Sequence, residues 1–132
     1  MNIGLDLDNT LIYTNIVQDT LDEYGRELPS EVRTEILRRF KLPEYNCYVP
    51  ALKGVKRSLN IWKRLGYKLI VITARPSEIE KDTIDMVKRL FPVVDKVIVV
   101  SNKEKKQTLV NENIDVFVDD AGHFRFLRGV LL

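Results

Sequence analysis

The chain has 132 residues, 45% apolar and 30% charged, which excludes a disordered or low-complexity protein and fits one globular domain over residues 1–132. Lys and Arg number 21 against 19 Asp and Glu, and a formal charge of +2 gives no general nucleic-acid or membrane footprint. The lone Cys47 excludes an intrachain disulfide, nothing before Asp6 resembles a secretory leader, and no apolar run is long enough to span a bilayer, so a cytoplasmic location is expected.

Asn2–Leu7 is a short apolar run that ends in acidic residues, the pattern of a buried strand whose tip leaves the core. Asn15–Tyr24 carries Ile16, Val17, Leu21 and Tyr24 at helical spacing, and Gly25 supplies a stop. Pro29 precedes a second amphipathic stretch, Glu31–Phe40, with Val32, Ile36, Leu37 and Phe40 on one stripe. Lys41–Lys53, with Pro43 and Pro50, reads as irregular. Val55–Leu65 is the next amphipathic helix, with Val55, Leu59, Trp62 and Leu65 on its apolar side and Gly66 as its stop.

From there strands and helices alternate. Tyr67–Thr73 reads as a strand, Ser77–Leu90 as a helix, Lys96–Val100 as a strand, Asn102–Asn111 as a helix and Ile114–Val118 as a strand, with a helical turn and a terminal Gly129–Leu132 strand to follow. Such alternation predicts an α/β fold, a Rossmann-like parallel sheet flanked by helices. The two helices after the first strand interrupt it and read as a small helical insertion over residues 13–50, above the edge where such sheets bind ligands.

Chemistry-bearing residues collect at the predicted strand ends. Asp6 and Asp8 are two apart, so on an extended chain their carboxylates share a face, with Leu7 pointing the other way. An ordinary turn is the plain alternative, since Asp, Asn and Thr all suit turns. Asp119 and Asp120 end the fourth strand in the same manner, and in a parallel sheet both acidic tips lie on one edge. Paired carboxylates repel unless a cation intervenes, and a hard dication such as Mg²⁺ takes oxygen ligands of this kind. Thr73 brings a hydroxyl to that edge from the second strand, and Lys105 brings an ammonium from the helix after the third.

Four segments in order thus resemble the motifs of the haloacid-dehalogenase (HAD) superfamily, across almost the whole chain: Asp6, Asp8 and Thr10 match its D-x-D-x-T, Thr73 its second-strand hydroxyl, Lys105 its lysine, and Asp119 and Asp120 its acidic pair. The resemblance implies a Mg²⁺-dependent phosphomonoester hydrolase with Asp6 as nucleophile, Asp8 as general acid/base, and Thr73 and Lys105 binding the transferring group. It implies a metal held by Asp6, the main-chain carbonyl of Asp8, and Asp119 or Asp120. Lys105 is chosen because its distance from Asp119 resembles the family spacing; Lys103 and Lys106 are the alternatives.

The inserted helices resemble a small C1 cap. Pro50–Val55, Gly66-Tyr67 and Thr73-Ala74-Arg75-Pro76 are similar to runs in 5′-nucleotidase and deoxyribonucleotidase-like members, although Asn9 departs from their commoner patterns. A small phosphorylated substrate, with a nucleoside monophosphate as the example, is the partner this implies. A nucleic-acid 3′-phosphatase, touching nucleic acid only through a phosphorylated end, is the alternative enzyme, and a retired phosphate-binding domain the non-enzyme one. Tyr13, Phe40, Tyr45 and Tyr48 either stack on a base or pack the insertion, Arg75 either reaches substrate or makes a structural salt bridge, and His123 reads as exposed.

Overall fold

The computed structural model describes residues 1–40, 48–120 and 124–126, with Phe40 and residues 124–126 described by their backbone. At the centre, Leu69–Ile72 of β2 (Lys68–Thr73) are fully buried, as expected of a strand covered on both faces. β1 (Asn2–Leu5) pairs with it in parallel, Leu5 opposite Val71. β3 (Lys96–Val99) lies on the far side of β2, and β4 (Val116–Val118) on the far side of β1, both parallel. β5 (Phe124–Phe126) pairs antiparallel with β4, giving the order β3-β2-β1-β4-β5.

The four-strand parallel sheet flanked by helices is the predicted architecture, while the antiparallel fifth strand departs from it. That strand also lies earlier than the Gly129–Leu132 strand read from the sequence, which falls outside the described residues. Alternation splits the core between the two faces. Ile3, Leu5, Leu69 and Val71 pack with Leu59 of α3 (Val55–Arg64) and with Met86 and Val87 of α4 (Glu80–Leu90). Ile70 and Ile72 pack with Phe117, Ile114 and Leu109, the last on α5 (Asn102–Asn111). Each such fully buried aliphatic side chain contributes about 1.5–3 kcal/mol.

Helix ends follow local chemistry. Gly66, at φ +85°, ends α3: its N–H donates to the Lys63 carbonyl and that of Tyr67 to the Trp62 carbonyl. Asn113, at φ +54°, ends α5 in the same way, with bonds to the Val110 and Leu109 carbonyls. These are the paired bonds that close a helix when the next residue turns left-handed. Leu65, expected on the apolar side of α3, is 61% exposed because the helix has already ended, whereas Trp62 packs against the core. The Ser77–Leu90 helix starts with a 3₁₀ turn, Ser77–Ile79, behind the extended Pro76.

α1 (Ile16–Tyr24) and α2 (Ser30–Phe40) are inserted between β1 and α3. Their outgoing and returning segments run side by side: Tyr13 N–H donates to the Pro50 carbonyl at 2.8 Å, Leu52 N–H to the Leu11 carbonyl at 2.9 Å, and Ile12 bridges Ala51. The insertion therefore leaves from and returns to the carboxyl edge of the sheet, next to Asp6 and Asp8. Among the described residues no helix is long and apolar enough to cross a membrane.

Candidate active site

β1 releases the chain at Leu5, one residue before Asp6. The Asp6 N–H still donates to the Val118 carbonyl at 2.9 Å, which pins the base of this side chain to β4. Its carboxylate is held through Oδ1 alone, which accepts from Leu7 N–H at 2.9 Å and from Lys105 Nζ at 3.1 Å. Among the described residues no hydrogen bond reaches Oδ2. Lys105 and the Asp6 side chain are both mostly buried, at 22% and 17% exposure, so water screens their attraction only weakly. The Lys105 ammonium also stands 5.2 Å from the centre of the Phe117 ring, a distance at which the ring face attracts a cation. Lys103 and Lys106 are exposed, and neither makes an ion pair or hydrogen bond among the described residues.

Leu7 is buried, and Asp8 emerges on the same side of the turn as the cations. Asp8 Oδ2 accepts from Arg75 Nε at 3.2 Å, while Oδ1 accepts from Arg75 Nη2 at 2.8 Å and from Thr14 Oγ1 at 2.7 Å. Burial pushes the Asp8 carboxyl up, but the hydrogen bonds and charge of Arg75, the Thr14 hydroxyl and the Lys105 ammonium outweigh it. The net effect holds Asp8 below the ordinary carboxylate value. Arg75 is the charged partner that the motifs did not single out. Its signal was only its place two residues after Thr73, at the tip of a strand.

The turn itself depends on Asn9, whose φ of +57° is a left-handed conformation that Asn and Gly adopt more readily than other residues. Its Oδ1 accepts from Asn15 N–H at 3.1 Å, tying the turn to the start of α1. Thr10, the last residue of the D-x-D-x-T run, has a buried hydroxyl with no partner among the described residues. Thr73 ends β2 at 1% exposure, and its hydroxyl bonds to neither aspartate.

Asp119 follows Val118, the register partner of Leu5, so it leaves β4 beside the point where Asp6 leaves β1. Asp119 is half-buried and Asp120 exposed. Among the described residues no three Asp, Glu, His or Cys side chains gather at metal-binding distance. The oxygen donors that do share this edge are the carboxylates of Asp6 and Asp119 and the main-chain carbonyl of Asp8. That set fits Mg²⁺, which takes one or two carboxylates and fills its remaining positions with water or phosphate oxygen. The Asp8 carboxylate, occupied by Arg75 and Thr14, is not among them. Tyr13 donates its hydroxyl to Asp19, and Tyr48 is 76% exposed. Tyr45, Cys47, His123 and the Phe40 side chain lie outside the described residues.

A parallel sheet with acids and cations at its carboxyl edge, and a helical insertion after the first strand, defines a protein of the HAD-like fold. Solved structures are similar to this chain in fold. A class C acid phosphatase from Bacillus anthracis with tungstate bound matches with a TM-score of 0.56 at 22% identity over 88% of this chain. A predicted phosphatase from Clostridium acetobutylicum matches at 0.53, with 17% identity over 86% of this chain and 71% of its own. A haloacid dehalogenase-like family hydrolase from Xanthomonas campestris matches at 0.50, with 17% identity over 89% of this chain and 72% of its own. The chain spans about half the length of the acid phosphatase, 49% of it. No protein-family model matches the chain, and no curated protein sequence does.

Proposed function

We propose that this protein is a Mg²⁺-dependent phosphomonoester hydrolase that works through a phosphorylated Asp6. The observation that carries the reading is the asymmetry of Asp6: Oδ1 is held by Lys105 and the Leu7 N–H, while Oδ2 is left to attack. Lys105 lowers the cost of bringing an anionic nucleophile to an anionic phosphoryl group, and its charge is matched to the negative charge on the transferring oxygens. Mg²⁺ held by Asp6, the Asp8 carbonyl and Asp119 would supply further charge neutralisation of the phosphoryl oxygens.

In the first step Asp6 Oδ2 forms a bond to phosphorus as the ester P–O bond breaks, and Asp8 gives its proton to the departing oxygen. In the second, water attacks phosphorus, its proton passes to Asp8, and the Asp6–phosphorus bond breaks to release phosphate. The ground-state grip of Arg75 suits Asp8 to the second step. For the first, the negative charge of the phosphoryl group raises the proton affinity of Asp8 once substrate is bound. Thr73, at the end of the neighbouring strand, is the hydroxyl available to the phosphoryl oxygens.

The inserted α1–α2 segment, within residues 13–50, acts in this reading as a small cap over the site. The first substrate class to test is a nucleoside monophosphate, supported by the nucleotidase-like runs around residues 50–55 and 73–76 and by the exposed Tyr48 ring where the insertion returns. The test is a panel of nucleoside monophosphates, sugar phosphates and a 3′-phosphorylated oligonucleotide, assayed for phosphate release with Mg²⁺ and with chelator. Mg²⁺-dependent release from mononucleotides is expected. Preference for the oligonucleotide end would redirect the substrate, and no release from any member would contradict the enzymatic reading.

A further inference from the structure

Arg75 is the one charged residue in the buried set among the described residues, its side chain 4% exposed. Burying a guanidinium is costly unless its donors and charge are matched, so its contacts report what the site requires. Two of its nitrogens reach both oxygens of one carboxylate, Nε to Asp8 Oδ2 at 3.2 Å and Nη2 to Oδ1 at 2.8 Å. The terminal torsion of an aspartate is soft, and the Asp8 side chain is 37% exposed, so the Thr14 hydroxyl alone, bonded to one oxygen, would hold it at a single point and leave it able to rotate. A two-point fork stops that rotation, which a single ammonium could not do.

A carboxylate has about four acceptor positions. Arg75 Nη2 and Thr14 Oγ1 both use Oδ1, and Arg75 Nε uses one position on Oδ2. One acceptor position therefore remains, on Oδ2. We propose that Arg75 is a positioning residue that fixes Asp8 so that this one remaining position serves both proton transfers of the hydrolysis. The inference rests on the reading of Asp8 as acid/base. It goes further by naming the atom used and the residue that selects it.

The experiment is a double-mutant cycle of Arg75→Gln and Asp8→Asn, with Mg²⁺ present and two substrates, glycerol 2-phosphate and 4-nitrophenyl phosphate. The alkoxide of the first needs a proton to leave, and the nitrophenolate of the second does not. Arg75→Gln is expected to lower kcat/KM for glycerol 2-phosphate by about 100-fold, a typical value for lost acid/base assistance. The loss for 4-nitrophenyl phosphate should be about 10-fold or less, with KM within about threefold of wild type. The double variant should be no slower than Asp8→Asn alone, because one proton-transfer position is lost only once. Arg75→Lys keeps the charge without the fork and should retain the fold with nearly the loss of Arg75→Gln; it carries the same comparison if the glutamine variant does not fold. Equal losses on both substrates, additive losses in the double variant, or wild-type turnover by Arg75→Lys would overturn the assignment. Wild-type turnover by Asp8→Asn would overturn the acid/base reading itself, and the assignment with it.

Discussion

Replacing Gly4 with alanine puts a methyl carbon 3.0 Å from Ile114 Cγ2 and 3.0 Å from Phe117 Cδ2. Both neighbours are buried, at 1% and 5% exposure, and pack against Ile70, Ile72 and Leu109, so neither can give way without moving others. Inserting a methyl into such a contact costs about 1–3 kcal/mol. The stiffer unfolded chain of the alanine variant returns about 0.4–1 kcal/mol. A net loss of about 1–2 kcal/mol follows, which in a chain of this length lowers Tm by about 4–8 °C. Urea denaturation followed by circular dichroism should show a lower midpoint with an unchanged slope, since the surface exposed on unfolding is the same. The site should respond too, because the Phe117 ring lies beneath the Lys105 ammonium that pairs with Asp6. A Gly4→Ala variant as stable as the parent would refute the reasoning, by showing that β1 and the side chains of Ile114 and Phe117, leading into and within β4, are not held in this close approach.

Thr83, fully buried on α4, has a hydroxyl with no partner among the described residues, so Thr83→Val should raise stability by about 1 kcal/mol in the same urea assay; a loss would mean that the hydroxyl is bonded. Asp95 accepts from Leu69 N–H at 2.8 Å and from Lys63 Nζ at 2.5 Å. Burial pushes its carboxyl up, but these bonds and the charges of Lys63 and Lys68 bring it below its ordinary value. A carboxyl lowered by folding adds stability above its unfolded value of about 3.9, and that stability fades as pH falls through the lower folded value. Urea midpoints of wild type and Asp95→Asn should therefore differ at neutral pH and converge toward acid, whereas a constant gap would contradict the contact. Lys105→Met should reduce kcat by about 100- to 1000-fold, the range for losing one preorganised charge partner of the transition state. Lys103→Met and Lys106→Met should turn over near the wild-type rate; a large loss in either would move the lysine assignment.

The sheet was legible because strands buried on both faces must be apolar throughout, and Leu69–Ile72 can hardly be read otherwise. The stop at Gly66 was legible for a similar local reason, a left-handed residue after a helix, whereas Asn113, which ends α5 the same way, was not singled out because Asn takes that conformation less regularly than Gly. Strand ends were harder: the apolar run continues through Leu7, but pairing stops at Leu5 where the chain turns toward Asn9. β5 was missed although Phe124-Arg125-Phe126 alternates, because three residues give too short a pattern to stand out. At the site, the acids and Lys105 could be picked out because each sits at the end of an element whose direction is set by the sheet. The Arg75–Asp8 fork could not, because it joins residues 67 apart and depends on side-chain geometry. Nothing in the spacing says whether Arg75 turns toward substrate or toward Asp8.

The central claim is that Asp6 carries the phosphoryl group, and acid-quench trapping tests it most directly. The protein is mixed with substrate and Mg²⁺, quenched, digested and examined by mass spectrometry, with borohydride reduction to mark an acyl phosphate. The account predicts a phosphoryl group on Asp6 in the wild type, borohydride conversion of that residue, and neither in Asp6→Asn, which should also lose turnover. Continued phosphate release by Asp6→Asn, or a trapped phosphoryl group on another residue, would contradict it.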